Sequence, residues 1–160
     1  MAGKVTNIVV AGRGGQGVLK ASDILAEAAF RAGRDVKKSE LHGMSQRGGS
    51  VTSDVRFGPQ VLSPMVPAGE TDYLVVLAAD QVEVNRLELR QGGVLISPAD
   101  IDENLLPNRR SLNVALLGVL SRHLDIAESD WMAAIQANLP EKLHEANAGA
   151  FALGRGSAGR

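Results

Sequence analysis

The pattern of apolar and polar positions divides the first part of the chain into a strand, a turn, a helix and a second strand. Residues 8–11 are uninterruptedly apolar and run into Gly12, as buried parallel strands do. Across residues 18–32 the apolar positions recur at helical spacing with charged side chains opposite, and Gly33 ends the predicted helix. Residues 35–41 are predicted to form the second strand. This order is typical of the start of a right-handed βαβ unit.

The middle of the chain departs from this alternation of strand and helix. Residues 42–49 are predicted to form a polar, glycine-rich loop. Residues 51–57 alternate between two faces, a pattern typical of an antiparallel strand with one face in solvent. A Gly-Pro turn at residues 58–59 is expected to lead into a returning strand that begins at residues 61–62.

The rest of the pattern predicts further buried strands and a run of helices. The strands are expected at residues 73–79 and 94–97, and the helices at residues 81–90, 111–123, 129–138 and 140–153. Ser129 is the predicted N-cap of its helix, and the small, polar residues 154–160 are expected to form a mobile tail. We therefore expect one α/β domain over residues 1–153, Rossmann-like, with a mixed, mainly parallel sheet and C-terminal helices.

Charge and apolar content exclude several classes of protein. The 17 Lys and Arg residues nearly balance the 18 Asp and Glu residues, which argues against a basic nucleic-acid scaffold. Aromatic residues make up only 3% of the 160 residues, too few for a base-stacking platform. The longest apolar run, at residues 73–79, is far shorter than the ~20 residues of a membrane helix, and we expect no cleaved signal segment.

Cysteine is absent from the chain. No disulfide, Cys-ligated zinc, iron–sulfur cluster or thiol nucleophile can therefore belong to it, and a cytoplasmic location fits this composition. The three histidines, His42, His123 and His144, lie too far apart in sequence to indicate a metal site. We predict neither a metal site nor a self-contained catalytic set.

Glycine is concentrated in two short segments, of which the first spans residues 12–17. Its spacing is G-x-G-x-x-G between a predicted strand and a predicted helix. Such glycines permit a tight turn and let backbone N–H groups approach a phosphate, which the helix N-terminus stabilises. A dinucleotide site also needs an acid ~20 residues further on, and Glu40 lies at roughly that spacing. The alternative interpretation is that the glycines only allow a close turn and helix–sheet packing.

The second glycine-rich segment runs from His42 to Gly49. Arg47 is flanked by Gln46 and Gly48, so its guanidinium can meet a phosphate or a carboxylate with two hydrogen bonds. His42 can accept or donate a proton near neutral pH. The alternative is a glycine-rich connection whose Arg and His side chains are simply solvated.

The two segments together resemble those of one enzyme family. The sequence Val-Ala-Gly-Arg-Gly-Gly-Gln-Gly at residues 10–17 is followed by Glu-Leu-His-Gly-Met-Ser-Gln-Arg-Gly-Gly-Ser-Val at residues 40–51. This combination resembles the gamma subunit or domain of 2-oxoacid:acceptor (ferredoxin) oxidoreductases, in the form most similar to the small (beta) subunit of indolepyruvate ferredoxin oxidoreductase. Further similarity lies at residues 63–64, 72–77, 113–118, 131–140 and 147–154. One departure is the short stretch at residues 100–110, where the family usually has a longer one.

The resemblance implies an enzyme that acts as a complex. Relatives decarboxylate a 2-oxoacid of the indolepyruvate, pyruvate or 2-oxoglutarate type on thiamine diphosphate, pass electrons through iron–sulfur clusters to ferredoxin, and yield an acyl-CoA. The thiamine and cluster sites belong to partner subunits in that family, and the absence of cysteine here agrees with this. The resemblance therefore implies that this chain binds no cofactor alone and serves assembly and substrate access.

We predict that the two glycine-rich segments contribute to a coenzyme A or phosphate surface. The residues assigned to it are Gly12, Gly14, Gly15, Gln16, Gly17, His42, Arg47, Gly48 and Gly49. Two alternatives stay open. One is a stand-alone NAD-type Rossmann protein that uses the first segment and Glu40, although the chain has no room for a separate substrate domain. The other is a purely structural subunit in which the glycines are packing devices.

Overall fold

The computed structural model describes residues 4–42 and 49–156, and five strands within them form one sheet. The strands are β1 (Thr6–Arg13), β2 (Asp35–His42), β3 (Ser50–Gly58), β4 (Thr71–Val76) and β5 (Leu89–Ile96). Their order is β2-β3-β1-β4-β5, with β1–β4 and β4–β5 parallel and β3 antiparallel to both β1 and β2. In this sheet four strands point one way and β3 points the other, which confirms the predicted mixed, mainly parallel arrangement.

Most of the helical structure lies after the sheet has been completed. The helices in the described part of the chain are α1 (Val18–Arg31), α2 (Val82–Asn85), α3 (Leu112–Ser121), α4 (Glu128–Asn138) and α5 (His144–Gly156). Short 3-10 turns occupy Ala79–Gln81, Arg86–Glu88, Pro98–Asp100, Glu103–Leu105, Arg109–Ser111 and Glu141–Leu143. The predicted α/β class with C-terminal helices is confirmed.

The two faces of the sheet are covered unequally. Alternate residues of β1 enter different clusters, because successive side chains of a strand point to opposite faces. Ile8 and Val10 belong to the main core, which α1, α3, α4 and α5 complete. Val9 and Ala11 belong to a small cluster on the second face, which residues from β4, β5, the 59–70 connection and α2 complete. The helices therefore stabilise mainly one side of the sheet.

The prediction of a returning strand that begins at residues 61–62 is wrong. The chain between β3 and β4 contains no strand, and its backbone is held by side chains of other elements. The N–H of Val61 donates to Asp35 at 2.7 Å, and the N–H of Val66 donates to Asp54 at 2.9 Å. The reason is that β3 already pairs with β1 on one edge and β2 on the other, so no edge is left for a returning strand.

The helix predicted at residues 81–90 is also too long. Only Val82–Asn85 is α-helical, and 3-10 turns flank it on both sides. The chain leaves this helix early because Leu89 already pairs with Thr71 as β5 begins, five residues before the predicted strand at 94–97. Pairing with β4 therefore overrides the local helical pattern.

Three predictions near the C-terminal end need correction. Ser129 is not the N-cap, because α4 begins at Glu128 and Ala127 occupies the cap position without a side-chain bond. The last helix does not begin at residue 140, because a 3-10 turn precedes α5. The predicted tail at 154–160 starts inside α5, which runs to Gly156 with Gly154 buried, and residues 157–160 lie outside the described part.

Helices α3 and α5 touch through their backbones. A Cβ atom on Gly118 would lie 2.2 Å from the carbonyl oxygen of Phe151, and one on Gly154 would lie 1.8 Å from that of Ala115. Both positions therefore need glycine for close approach rather than for backbone freedom. This contact brings Phe151 against Trp131 with ring centroids 5.5 Å apart, and so joins α3, α4 and α5 into one layer.

The variant Gly154→Ala is expected to destabilise the domain, because the added methyl group must push α5 away from α3. Overpacking of this kind costs about 1–3 kcal/mol, so the melting temperature should fall by several degrees. Gly156→Ala, in the same helix, is the matched control, because nothing lies within 4 Å of its Cβ position. Equal melting temperatures for the two variants would contradict the close contact.

Candidate functional site

The first glycine-rich segment forms a short turn between β1 and α1. Gly15 has φ +89° and Gly17 has φ +84°, in the left-handed region that favours glycine. The backbone of Gly14 is not in that region, and its N–H instead donates to the carbonyl oxygen of Gly49 at 2.8 Å. The turn thus needs glycine conformation at Gly15 and Gly17, while Gly14 joins the two segments.

Two of these glycines also permit close packing. A Cβ atom on Gly12 would lie 2.9 Å from Cγ2 of Val18 and 3.2 Å from Cβ of Leu77. A Cβ atom on Gly17 would lie 2.6 Å from Nδ2 of Asn113, which donates to the carbonyl oxygen of Gly17 at 3.2 Å. The packing interpretation therefore accounts for Gly12 and, in part, for Gly17.

Gln16 closes the turn on itself. Its Oε1 accepts the N–H of Arg13 at 2.7 Å, and its own N–H donates to the carbonyl oxygen of Arg13 at 3.1 Å. Its Nε2 donates to the carbonyl oxygen of Leu77 at 3.4 Å. Both the oxygen and the nitrogen of the side-chain amide bond to the protein's own backbone, so Gln16 shapes the turn.

The second segment lies beside the first at the carboxyl end of β1. Gly49 is buried, and Ser50 begins β3 opposite Arg13, the last residue of β1. The Ser50 hydroxyl donates to Oε1 of Gln81 at 2.8 Å. Two of the predicted site residues, Arg47 and Gly48, lie outside the described residues, as does the His42 side chain. The structure thus brings Gly14 and Gly49 together, and the placement of Arg47 stays a prediction.

Arg13 and Asp80 form a forked ion pair at the same end of the sheet. Nη2 of Arg13 lies 2.7 Å from Oδ2 of Asp80, and Nε lies 3.1 Å from the same oxygen. The hydrogen bond from Arg13 holds the pKa of Asp80 below its ordinary value. Sequence reasoning missed this pair, although Asp80 follows a buried strand at the edge where Arg13 ends another. The pair ties the turn after β4 to the first glycine-rich segment.

Glu40 does not serve the first glycine-rich segment. It lies on β2, and β3 separates β2 from β1, so two strand spacings, or ~10 Å, stand between them. Its carboxylate lies 3.2 Å from Nζ of Lys38. Although burial acts to lower it, bonds to Asp23 and Glu40 hold the pKa of Lys38 above its ordinary value. The ribose-binding role considered for Glu40 is therefore wrong.

An open crevice of about 600 Å³ lies on the α3 side of the first glycine-rich segment. One wall is the turn at residues 15–17 with Lys20, and the opposite wall is the segment 108–114. Leu139, Leu143 and Asn147 close a third side. No Asp or Glu is among the described residues that line it, so its charge is entirely positive.

The described residues contain neither a cluster of candidate metal ligands nor a helix that could cross a membrane. No group of three or more His, Cys, Asp or Glu side chains there is placed to hold a metal ion. No described helix has the length and apolar content needed to cross a membrane.

The turn gives a paired test of backbone conformation and packing. Gly15→Ala and Gly17→Ala should each cost about 1–2 kcal/mol, because both place a side chain in the left-handed region. Gly17→Ala should cost about 1 kcal/mol more, because it also displaces Asn113 and breaks its bond to Gly17. Urea unfolding of the two variants measures the difference, and equal free energies of unfolding would refute the role of Asn113.

Sequence comparison gives matches over both segments. The sequence model described as pyruvate ferredoxin/flavodoxin oxidoreductase matches residues 7–109. Indolepyruvate oxidoreductase subunit IorB of Thermococcus kodakarensis is 41% identical over 142 residues, which are 88% of this chain and 68% of that protein. The pyruvate/ketoisovalerate oxidoreductases common subunit gamma of Thermococcus litoralis is 39% identical over 88 residues, 53% of this chain and 47% of that protein.

Solved structures share the fold over nearly the whole chain. The gamma subunit of a keto/oxoacid ferredoxin oxidoreductase from Geobacter sulfurreducens has a TM-score of 0.81 at 25% identity, covering 96% of this chain and 98% of that one. A chain of 2-oxoglutarate:ferredoxin oxidoreductase from Magnetococcus marinus has a TM-score of 0.82 at 23% identity, covering 97% of this chain and 31% of that one. Almost all of the Geobacter subunit has a counterpart here, so the short stretch at residues 100–110 removes little relative to it. The chain belongs to the pyruvate ferredoxin/flavodoxin oxidoreductase family.

Proposed function

We propose that this chain is the non-cluster subunit of a thiamine-diphosphate-dependent 2-oxoacid:ferredoxin oxidoreductase. The complex would oxidatively decarboxylate a 2-oxoacid of the indolepyruvate, pyruvate or 2-oxoglutarate type to an acyl-CoA, in the cytoplasm. The observation that carries the proposal is the family match over residues 7–109, which contain both glycine-rich segments. The 41% identity to an indolepyruvate oxidoreductase subunit supports indolepyruvate as the first substrate to test.

The chemistry of the chain requires partners. Iron–sulfur clusters are held by thiolates, and this sequence contains no cysteine, so its residues do not fit a cluster. We assign the clusters and thiamine diphosphate to partner subunits. Thiamine diphosphate would supply the carbanion chemistry of decarboxylation there. Ferredoxin would then receive the electrons from the partner subunits, and this chain would take no direct part in either step.

The chain's own contribution is a surface at the carboxyl end of β1. Gly14 and Gly49 join there through a backbone hydrogen bond of 2.8 Å, which fixes one end of the second segment beside the first turn. Loops at this end of parallel strands are where α/β proteins bind ligands. We infer that Arg47 and His42, from the second segment, face a partner subunit or a phosphate of coenzyme A.

The NAD-type alternative is not supported. Its dinucleotide site needs an acid at the end of a strand next to β1, and antiparallel β3 occupies that place instead. A purely structural subunit stays a second candidate, because Gly12 and Gly17 have packing roles that need no ligand. Measurements on the assembled enzyme distinguish it from the proposed function.

Reconstitution tests the complex directly. The purified chain alone should not oxidise indolepyruvate, pyruvate or 2-oxoglutarate, because it has no cysteine and its sequence predicts no self-contained catalytic set. Addition of the thiamine- and cluster-containing partner subunit from the same organism should give 2-oxoacid-dependent and coenzyme A-dependent reduction of ferredoxin. Turnover by the chain alone, or failure of the two proteins to associate, would overturn the proposal.

Arg47→Ala tests the second segment. An exposed charge contributes less than about 1 kcal/mol to folding, so the melting temperature of the free chain should be unchanged. A desolvated contact costs more to break, so subunit association or coenzyme A use should weaken at least about tenfold. Arg31→Ala is the matched control, because its guanidinium pairs with Glu27 on the exposed face of α1. A lower melting temperature with a normal complex would make Arg47 a structural residue.

A further inference from the structure

The outer edge of β2 is open in the described part of the chain. β2 is the terminal strand of the sheet, and no described strand pairs with the edge that faces away from β3. An open edge presents a row of backbone N–H and C=O groups that can pair with another strand. β2 matches β3 residue by residue over Asp35–His42 without a register shift, so its open edge is long and regular.

The opposite edge of the sheet is built differently. β5 pairs with β4 through a register shift, and Gly92 within β5 has φ +80°. Irregularities of this kind disfavour pairing with a further strand. Proline, which also protects sheet edges, is absent from β2. Of the two edges, β2 is therefore the one suited to strand pairing.

The charges along β2 select the strand that can pair with it. Lys37 and Lys38 disfavour a neutral or basic strand at this edge, because lysines protect an edge unless carboxylates meet them. A second, antiparallel copy of β2, with Ser39 opposite its own copy, places Lys38 of each copy opposite Glu40 of the other. Opposite charges directly across two strands stabilise the pair, and like charges destabilise it. Symmetric registers centred on Lys37, Lys38 or Glu40 place that charge against itself, so charge favours the register centred on Ser39.

The same register covers apolar surface on both sides of the sheet. Leu41 is 59% exposed and lies opposite Lys37 of the second copy, whose methylene stem can pack on it. Because Ser39 faces its own copy, the two-fold axis is perpendicular to the sheet, and both α1 helices lie on the same face. Phe30 of α1 is 68% exposed and lines, with Val36 and Lys38, an open crevice of about 370 Å³ beside β2. Pairing brings the two crevices towards each other.

We propose that two copies of this chain associate through β2 and join their five-stranded sheets into one. The interface is isologous, so residues 36–42 of each copy meet the same residues of the other. Two Lys38–Glu40 pairs lie on its α1 side, where Lys38 also bonds to Asp23 at 2.7 Å. The inference does not rest on the proposed function, because it uses only the geometry of the edge and its charges.

Sedimentation velocity of the full chain tests the interface and should show a dimer at micromolar concentrations. Glu40→Lys and Lys38→Glu should each weaken the dimer at least about tenfold, because each variant puts two like-charge pairs across the strands. An equimolar mixture of the two variants should restore a dimer, since Lys then meets Glu at both positions. Glu83→Lys is the matched control, because it reverses an exposed charge on α2, away from β2. It should leave the dimer affinity within about twofold.

Disulfide trapping tests the register, because the chain contains no cysteine of its own. Ser39→Cys should form a covalent dimer on mild oxidation, since directly opposite Cβ atoms lie close to the separation that a disulfide needs. Lys37→Cys should not, because the two copies of residue 37 lie ~14 Å apart in this register.

Three results would overturn the proposal: a chain that stays monomeric up to its solubility limit, no recovery of the dimer in the mixture of variants, or cross-linking of Lys37→Cys as fast as that of Ser39→Cys. A monomeric chain that still forms an active complex with the thiamine-containing subunit would refute this inference and leave the proposed function standing.

Discussion

Strand β1 constrains the rest of the fold because both its edges and both its faces are occupied. It pairs with β3 along its full length and with β4 at four positions, and its six central residues are buried. The chain leaves β1 at its carboxyl end, where Gly14 to Gly17 make the turn into α1. Antiparallel β3 starts where β1 stops, so the second glycine-rich segment is forced beside the first. The candidate surface follows from this pairing.

The local pattern of apolar and polar residues predicts where the helices and strands of this fold lie better than it predicts which strands pair. The apolar run that ends at Gly12, the amphipathic α1 and the alternation within β3 are properties of adjacent residues, and each is confirmed. The position of β3 between β1 and β2 is not such a property, because it depends on pairing between segments far apart in sequence. The strand predicted at residues 61–62 failed for this reason, since the pattern does not show that both edges of β3 are taken.

For the candidate site too, the sequence predicts some features and only the structure shows the others. The glycine spacing predicts where the turn lies, but only the backbone shows that Gly15 and Gly17 have positive φ while Gly14 donates to Gly49. The pairing of Arg13 with Asp80 depends on which carboxylate the fold brings near the guanidinium. The sequence alone does not show which residue a charged side chain pairs with. The role proposed for Arg47 rests on the motif resemblance, and the measurements proposed above test it.

The parallel pairing of β1 with β4 has a consequence for how the chain is made. Asn7 and Asp72, which are bonded at 2.8 Å at the start of these strands, are 65 positions apart. Closing so long a loop costs more chain entropy than joining β2 to β3 across the second glycine-rich segment. During synthesis β1 emerges before β3 and β4, so its edges stay unpaired until both strands have followed. The strand that organises the finished domain is thus transiently exposed apolar surface in the nascent chain, and such surface makes incompletely folded chains prone to aggregation.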